Sequence, residues 1–278
     1  MPMYIEVYNV KGGTGKSNTS KTLAGGFSTG LLTNNGKRYK TGIIDKDPLG
    51  SSINFYNIAL SIESQAIERE LSLTPEERLK EWKSRENEWK AWGKKHNLPY
   101  YIEDFSEEVI TDPAKRVPFT VFRLEDKPED FDDYDVIIVD HPPRYTRDFY
   151  EDSLILMPTR LESESFIPTY EDYSDLVKKR HTVIVPNCFN DSVKDQNTIF
   201  NKYFKYEDEG TDNCEKAKFD PAFPTRGYIK ERACYQNAYL YGDTIFGKKN
   251  YQYLYLARKE FMSVYSDIKF ETHLAQKR

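Results

Sequence analysis

Lys11-Gly12-Gly13-Thr14-Gly15-Lys16-Ser17 is the stretch on which the fold turns. Ahead of it, residues 3–10 (MYIEVYNV) are rich in β-branched and aromatic side chains and read as a strand. Behind it, residues 16–32 read as a helix that stops near Asn34, Asn35 and Gly36. Glycines between a strand and a helix let the backbone curl, so that successive N–H groups converge at the positive end of the helix and form an anion nest. Lys16 is placed to reach the β- and γ-phosphates of a nucleotide, and the Ser17 hydroxyl to ligate Mg²⁺. The strict phosphate-loop pattern asks for glycine at position 10. This chain has Val10 there, and a second lysine, Lys11, at the front of the loop.

Further along, Thr41–Asp45 (TGIID), 136–139 (VIIV), 153–157 (SLILM) and 182–185 (TVIV) are short apolar runs. They do not alternate with polar residues, which marks parallel strands covered on both faces. Helical stretches separate several of them, so the chain reads as one α/β domain over residues 1–278, with a doubly wound, mostly parallel sheet. Residues 62–130 differ: they are strongly charged and read as a helical insertion. Its clearest helix is Pro75–His96, with Thr74 as N-cap, Pro75 at the first helical position and Glu77 completing a capping box. Glu76–Lys80, Glu81–Arg85 and Glu86–Lys90 have the spacing of i,i+4 ion pairs. Trp82, Trp89 and Trp92 fall near one face, which either docks on the body or receives a partner.

The net charge of -5 excludes a wholly basic nucleic-acid binder, so any DNA contact uses a local patch. Candidates are Lys230 and Arg232 in one segment and Lys248 and Lys249 in another. Residues 247–278 hold seven Lys or Arg against three Asp or Glu, an asymmetry that suits phosphate contacts as well as a solvated helix face. Lys178-Lys179-Arg180 end an expected helix, where cations complement the dipole. Cys188, Cys214 and Cys234 are odd in number and widely spaced, against a disulfide framework and in keeping with a reducing cytoplasm. No apolar run approaches the roughly 18 residues of a membrane span. The start of the chain lacks a secretory pattern, and residues 266–278 carry too few apolar side chains for a membrane-surface helix.

Residues 11–17 resemble the deviant Walker A loop of the ParA/MinD family of ATPases. Further stretches follow in that family's order. Residues 43–51 (IIDKDPLGS) resemble its D-x-D-P-Q-G motif, with Leu49 in place of Gln. Residues 134–143 (YDVIIVDHPP) resemble its Walker B strand, and residues 152–158 the next strand, ending in Pro158. Arg232, Tyr235 and residues 242–246 resemble a stretch in the C-terminal third of small ParA proteins. The resemblance implies ATP and Mg²⁺ as cofactors. It implies that Gly12, Gly13, Thr14, Gly15 and Lys16 hold phosphates, and that Asn18 hydrogen-bonds one. Ser17, Asp47 and Asp140 would hold the metal, and Asp47 would also position the attacking water, while Asp45 supports the loop. Asn187 would read the adenine. Lys11 would reach across a face-to-face homodimer to the partner's nucleotide. The activity implied is slow ATP hydrolysis in plasmid or chromosome segregation. The ATP dimer would bind DNA without sequence preference, in the cytoplasm on the nucleoid, and a ParB-like centromere-binding protein would stimulate it. With the loop starting at residue 11, no operator-reading domain is expected ahead of it. Alternatives are a MinD-like positioning ATPase, a conjugation-associated relative acting on a protein or membrane, and a nucleotide-gated binding module without significant hydrolysis, for which Asn18 and Leu49 leave room. A bacterial tyrosine kinase is a further alternative. It is suggested by Tyr235, Tyr239, Tyr241, Tyr251, Tyr253 and Tyr255, but it lacks the signature lysine and is disfavoured.

Overall fold

The apolar runs become strands in a computed structural model of the chain, which describes residues 1–33, 35–144, 146–204 and 227–266. β1 is Met3–Val7, β2 Thr41–Asp45, β3 Thr120–Arg123, β4 Val136–Asp140, β5 Leu154–Thr159 and β6 Thr182–Pro186. They form one sheet in the order β3-β2-β4-β1-β5-β6, and every pairing is parallel. The helices are α1 (Lys16–Thr29), α2 (Ser51–Leu71), α3 (Pro75–His96), α4 (Ser163–Leu176), α5 (Lys194–Tyr203), α6 (Ala233–Leu240) and α7 (Leu254–Ser266).

Strand alternation sends side chains to two buried faces, which is why the strands look uniformly apolar. Ile5, Val7, Ile43, Ile138, Leu156 and Val185 face a core with Leu23 and Phe27 of α1, Phe55 of α2 and Phe261 of α7. Ile155, Met157 and Ile184 face Phe166 and Tyr173 of α4 and Ile199 of α5. Ile44, Ile137 and Val139 are covered by Phe131 and the aromatic rings of Tyr4, Tyr134 and Tyr150. β1 lies between β4 and β5. The chain leaves β1 for β2 on one side and reaches β5 on the other. In open α/β sheets such a reversal opens a crevice at the carboxyl ends of the strands, where ligands bind.

Residues 62–130 are more than a helical insertion. They contain the second half of α2, α3 and a 3-10 turn at Pro113–Lys115, and they also supply β3, the edge strand beside β2. β3 has four residues and buries only Val121, so it leaves no periodic signal. α3 starts and stops as its caps dictate, and both bonds of the capping box are present. Among the described residues only one of the three expected pairs within α3 forms, Glu86–Lys90 at 2.8 Å. Glu81 turns to Arg69 of α2 instead, at 2.6 Å. Trp89 and Trp92 dock on the body: their ring centroids lie 5.1 and 5.0 Å from the guanidinium carbon of Arg258, which is wholly buried on α7. Trp82 stays within the insertion, its indole N–H donating to the Glu103 carbonyl at 2.7 Å. Among the described residues no helix is long and apolar enough to cross a membrane.

Candidate functional site

β1 delivers the chain to the crevice, and Asn9 pins it there. Asn9 Nδ2 donates to the Pro158 carbonyl of β5 at 2.9 Å, while its Oδ1 accepts from the Lys11 N–H at 2.8 Å and from Thr169 Oγ1 at 3.1 Å. The loop then curls through Gly13 and Gly15, whose φ angles of 72° and 89° are left-handed. At Gly15 a Cβ would stand 2.1 Å from Asn187 Nδ2, so this position needs glycine for space as well as for conformation. Asn187, just past β6, donates that amide to the Thr14 carbonyl at 2.9 Å. It therefore clasps the loop. α1 begins with no side-chain cap and no acidic residue in its first turn, which leaves its leading N–H groups without a side-chain partner and open to an anion.

Lys16 is buried and folds back on the loop, Nζ donating to the Lys11 carbonyl at 2.9 Å. Burial pulls its pKa down, and the charges of Asp140 and Asp47 oppose the shift. Asp45 and Asp140 are register partners at the ends of β2 and β4. Asp45 is committed to structure: Oδ1 accepts the Asp47 N–H at 3.0 Å, and Oδ2 accepts those of Ser52 and Ile53 at 2.8 and 3.0 Å, capping α2. Asp140 has no exposed surface. Its Oδ2 accepts the Ser52 hydroxyl at 2.7 Å, and the nearby Ser17 hydroxyl favours its charged form. Its Oδ1 is buried with no partner among the described residues. Burial, then repulsion from Asp45, pushes its pKa up to about 6. Among the described residues no group of three His, Cys, Asp or Glu is placed to hold a metal. An orphan carboxylate oxygen beside a serine hydroxyl at an anion nest instead suits Mg²⁺, which keeps waters and phosphate oxygens among its ligands. Asp47 is half-buried, and its Oδ1 accepts the Leu49 N–H at 3.0 Å.

Three features had escaped the sequence reading. Lys21 of α1 is buried beneath the carboxylates, with Nζ 4.2 Å from the Tyr239 ring centroid and 5.2 Å from that of Phe55. Desolvation lowers its pKa to about 8, against the pull of Asp140 and Asp45. Asn18 lines the same narrow cleft, beside α6. Arg160, just past β5, donates from Nε to the Gly13 carbonyl at 3.1 Å and adds a cation to the rim. Glu6, in mid-sheet, binds His141 Nε2 at 2.7 Å and the Tyr150 N–H at 2.7 Å, fixing the segment that follows Asp140. The only sequence signals were a polar residue inside an apolar strand and an arginine at a strand end. Lys21 gave none.

Lys11 is half-buried at the rim, beside the exposed Gly12 and Gly13, and its ammonium makes no ion pair among the described residues. The four basic candidates do not form one patch. Lys230 pairs with Asp191 at 2.5 Å, Arg232 with Glu260, and Lys248 with both Glu63 and Glu103 at 2.7 Å. Lys249 is exposed, its ammonium 4.1 Å from the Tyr241 ring centroid. Arg258, counted in the basic stretch, belongs to the interior. Cys214 and residues 267–278, which make up nearly all of the tail considered for a membrane, lie outside the described residues.

No protein-family model matches the chain, and no curated protein does. Three solved structures are among those that resemble it. One is a plasmid partition protein from Borrelia burgdorferi, 18% identical, covering 99% of each chain, with a TM-score of 0.42. A second is the ATP complex of McdA from Cyanothece, 14% identical, covering 99% of this chain and 96% of that one, with a TM-score of 0.46. A third is the cell division ATPase MinD from Pyrococcus furiosus, 14% identical, covering 97% of this chain and 99% of that one, with a TM-score of 0.45.

Proposed function

We propose that this chain is a Mg²⁺-dependent ATPase that works as a nucleotide switch of the ParA type. The observation that carries this reading is the joining of an uncapped helix N-terminus behind a glycine loop to an orphan oxygen on Asp140. The loop N–H groups and Lys16 hold the phosphates, and Ser17 and Asp140 hold the cation, which when bound neutralises phosphate charge. Lys16 exchanges its bond to the Lys11 carbonyl for a phosphate oxygen, and Asp47 orients the attacking water. Lys11 stands on an open rim with the exposed Gly12 and Gly13, where a second copy can cover it. The dimer then binds DNA without sequence preference, and a centromere-bound partner protein stimulates turnover, as segregation of a plasmid or chromosome requires. On this reading the protein works in the cytoplasm, on the nucleoid.

One observation favours a second reading, a nucleotide-gated module with negligible turnover: the Asp47 carboxylate already accepts the Leu49 N–H. Binding of a fluorescent ATP analogue and phosphate release, each with and without Mg²⁺, separates the two. The ATPase reading expects saturable binding, Mg²⁺-dependent release, and loss of both by at least about tenfold in Lys16→Ala. Binding without release supports the module. Absence of binding overturns both.

A further inference from the structure

A cavity of about 320 Å³ lies inside the insertion, between the end of α2, the first turns of α3 and the loop that leads to the 3-10 turn. Its size is at the lower end of ligand pockets. Its walls carry acids and bases in similar number, but the pairing is uneven. Glu70 is held by Arg116 and Glu81 by Arg69, both at 2.6 Å. Glu103 is held by Lys248 at 2.7 Å, and Asp104 lies 3.7 Å from Arg38. Glu108 is the one wall acid left without a cation among the described residues. By contrast Arg78, Arg85 and Lys115 make no close ion pair among the described residues, Arg85 and Arg78 reaching Glu70 only at longer range, and Arg78 Nε is buried with no hydrogen-bond partner among them. The uncompensated charge of the cavity is therefore positive.

Two further observations fix the kind of anion. The cavity is floored by Trp82 and Phe105, with Ile110 47% exposed at its edge, so the ligand has an apolar part as well. The wall from residue 99 to residue 111 belongs to no helix or strand, and no backbone–backbone hydrogen bond is made by it among the described residues. Side chains of α3 grip it instead: Arg78 Nη2 donates to the Glu107 carbonyl at 2.5 Å and Trp82 Nε1 to the Glu103 carbonyl at 2.7 Å. The carbonyls of Pro99 and Glu108 are also taken by side chains, and the other main-chain groups of the segment are left for an extended chain to pair with. A rigid duplex cannot bring its phosphates into a recess of this size. We infer that the cavity docks a short acidic peptide segment of a partner protein, its carboxylates paired with Arg78 and Arg85 and its apolar residue on Trp82. This goes beyond the nucleotide reading and does not depend on it, because none of these residues touches the phosphate loop.

The test is fluorescence anisotropy of the full chain with a labelled hexapeptide, Asp-Glu-Phe-Asp-Glu-Leu, and its amide counterpart, Asn-Gln-Phe-Asn-Gln-Leu. Inorganic phosphate and a short DNA duplex serve as competitors. The acidic peptide is expected to bind at micromolar concentration and the amide form at least about tenfold more weakly. Arg85→Glu is expected to weaken the acidic peptide at least about tenfold with an unchanged thermal midpoint, because Arg85 is exposed and makes no ion pair among the described residues. Equal binding of the two peptides, no loss in Arg85→Glu, or no binding up to about 1 mM would overturn the inference. Displacement by duplex would overturn it in favour of a nucleic-acid site, and displacement by millimolar phosphate in favour of a small-anion site.

Discussion

Asp140 ends β4 with no exposed surface, one oxygen on Ser52 and the other without a donor. Its folded pKa of about 6 stands above the ordinary 3.8, so the folded chain holds this proton more tightly than the unfolded chain does. The stabilisation from this group is therefore complete below about pH 4 and is lost as the pH rises to about 6, a swing of about 3 kcal/mol. A cation at the site needs the deprotonated form, so Mg²⁺-dependent nucleotide binding is expected to weaken about tenfold per pH unit below about pH 6. Asp140→Asn separates the two demands. At pH 8 without metal it is expected to raise the thermal midpoint, and it is expected to cut Mg²⁺-dependent binding at least about tenfold. A lowered midpoint would mean that Lys21 fully compensates the carboxylate. At this scale the sequence was legible where chemistry is contiguous. Seven adjacent residues make the loop, and Asp140 ends an apolar strand. Lys21 meets the site only through the fold, and Arg160 had only its place at a strand end to announce it.

Among the elements, the strands could be read because parallel strands buried on both faces must be apolar throughout. β3 could not, since an edge strand that buries one residue is under no such demand. α3 was legible at both ends because its caps are local, yet Glu81 preferred Arg69 on α2 to its own helix neighbour. What holds α3 to the body is an interaction no local pattern encodes. Arg258 lies against both Trp89 and Trp92 and donates to the Ile245 and Gly247 carbonyls at 2.5 and 3.3 Å. Arg258→Leu would leave both carbonyls unpaired and remove the cation from the indoles, at an expected cost of about 2–4 kcal/mol. Thr74→Ala should cost only about 1 kcal/mol, by uncapping one helix end. Urea denaturation with tryptophan emission distinguishes them. Emission shifts to the red before global unfolding in Arg258→Leu but not in Thr74→Ala. Equal behaviour would show that α3 is held by area alone.

For the whole molecule, the proposed DNA binding has to be made by an acidic chain. Lys248 and Lys249 are adjacent in sequence and differ in circumstance. Lys248 satisfies Glu63 and Glu103 and donates to the Arg116 carbonyl at 3.2 Å, tying α2 and the insertion to the segment before α7. Lys249 points to solvent over Tyr241. Lys248→Ala should act chiefly on stability, because Glu103 is left without its cation and Glu63 keeps only Arg116; a fall of about 1–3 kcal/mol is expected. Lys249→Ala should leave stability within about 0.5 kcal/mol. If the ATP form binds DNA through this face, every phosphate that the protein ceases to neutralise lowers the slope of log affinity against log salt by about 0.9. A two-fold dimer presents Lys249 twice, so Lys249→Ala is expected to reduce the slope by about 2 without changing sequence preference. Titrating random-sequence duplex with ATP, with ADP and without nucleotide at several salt concentrations reads this directly. An unchanged slope in Lys249→Ala would move the DNA face to Lys230 and Arg232. Those two can serve only by giving up Asp191 and Glu260, and their substitution would then change stability and DNA affinity together.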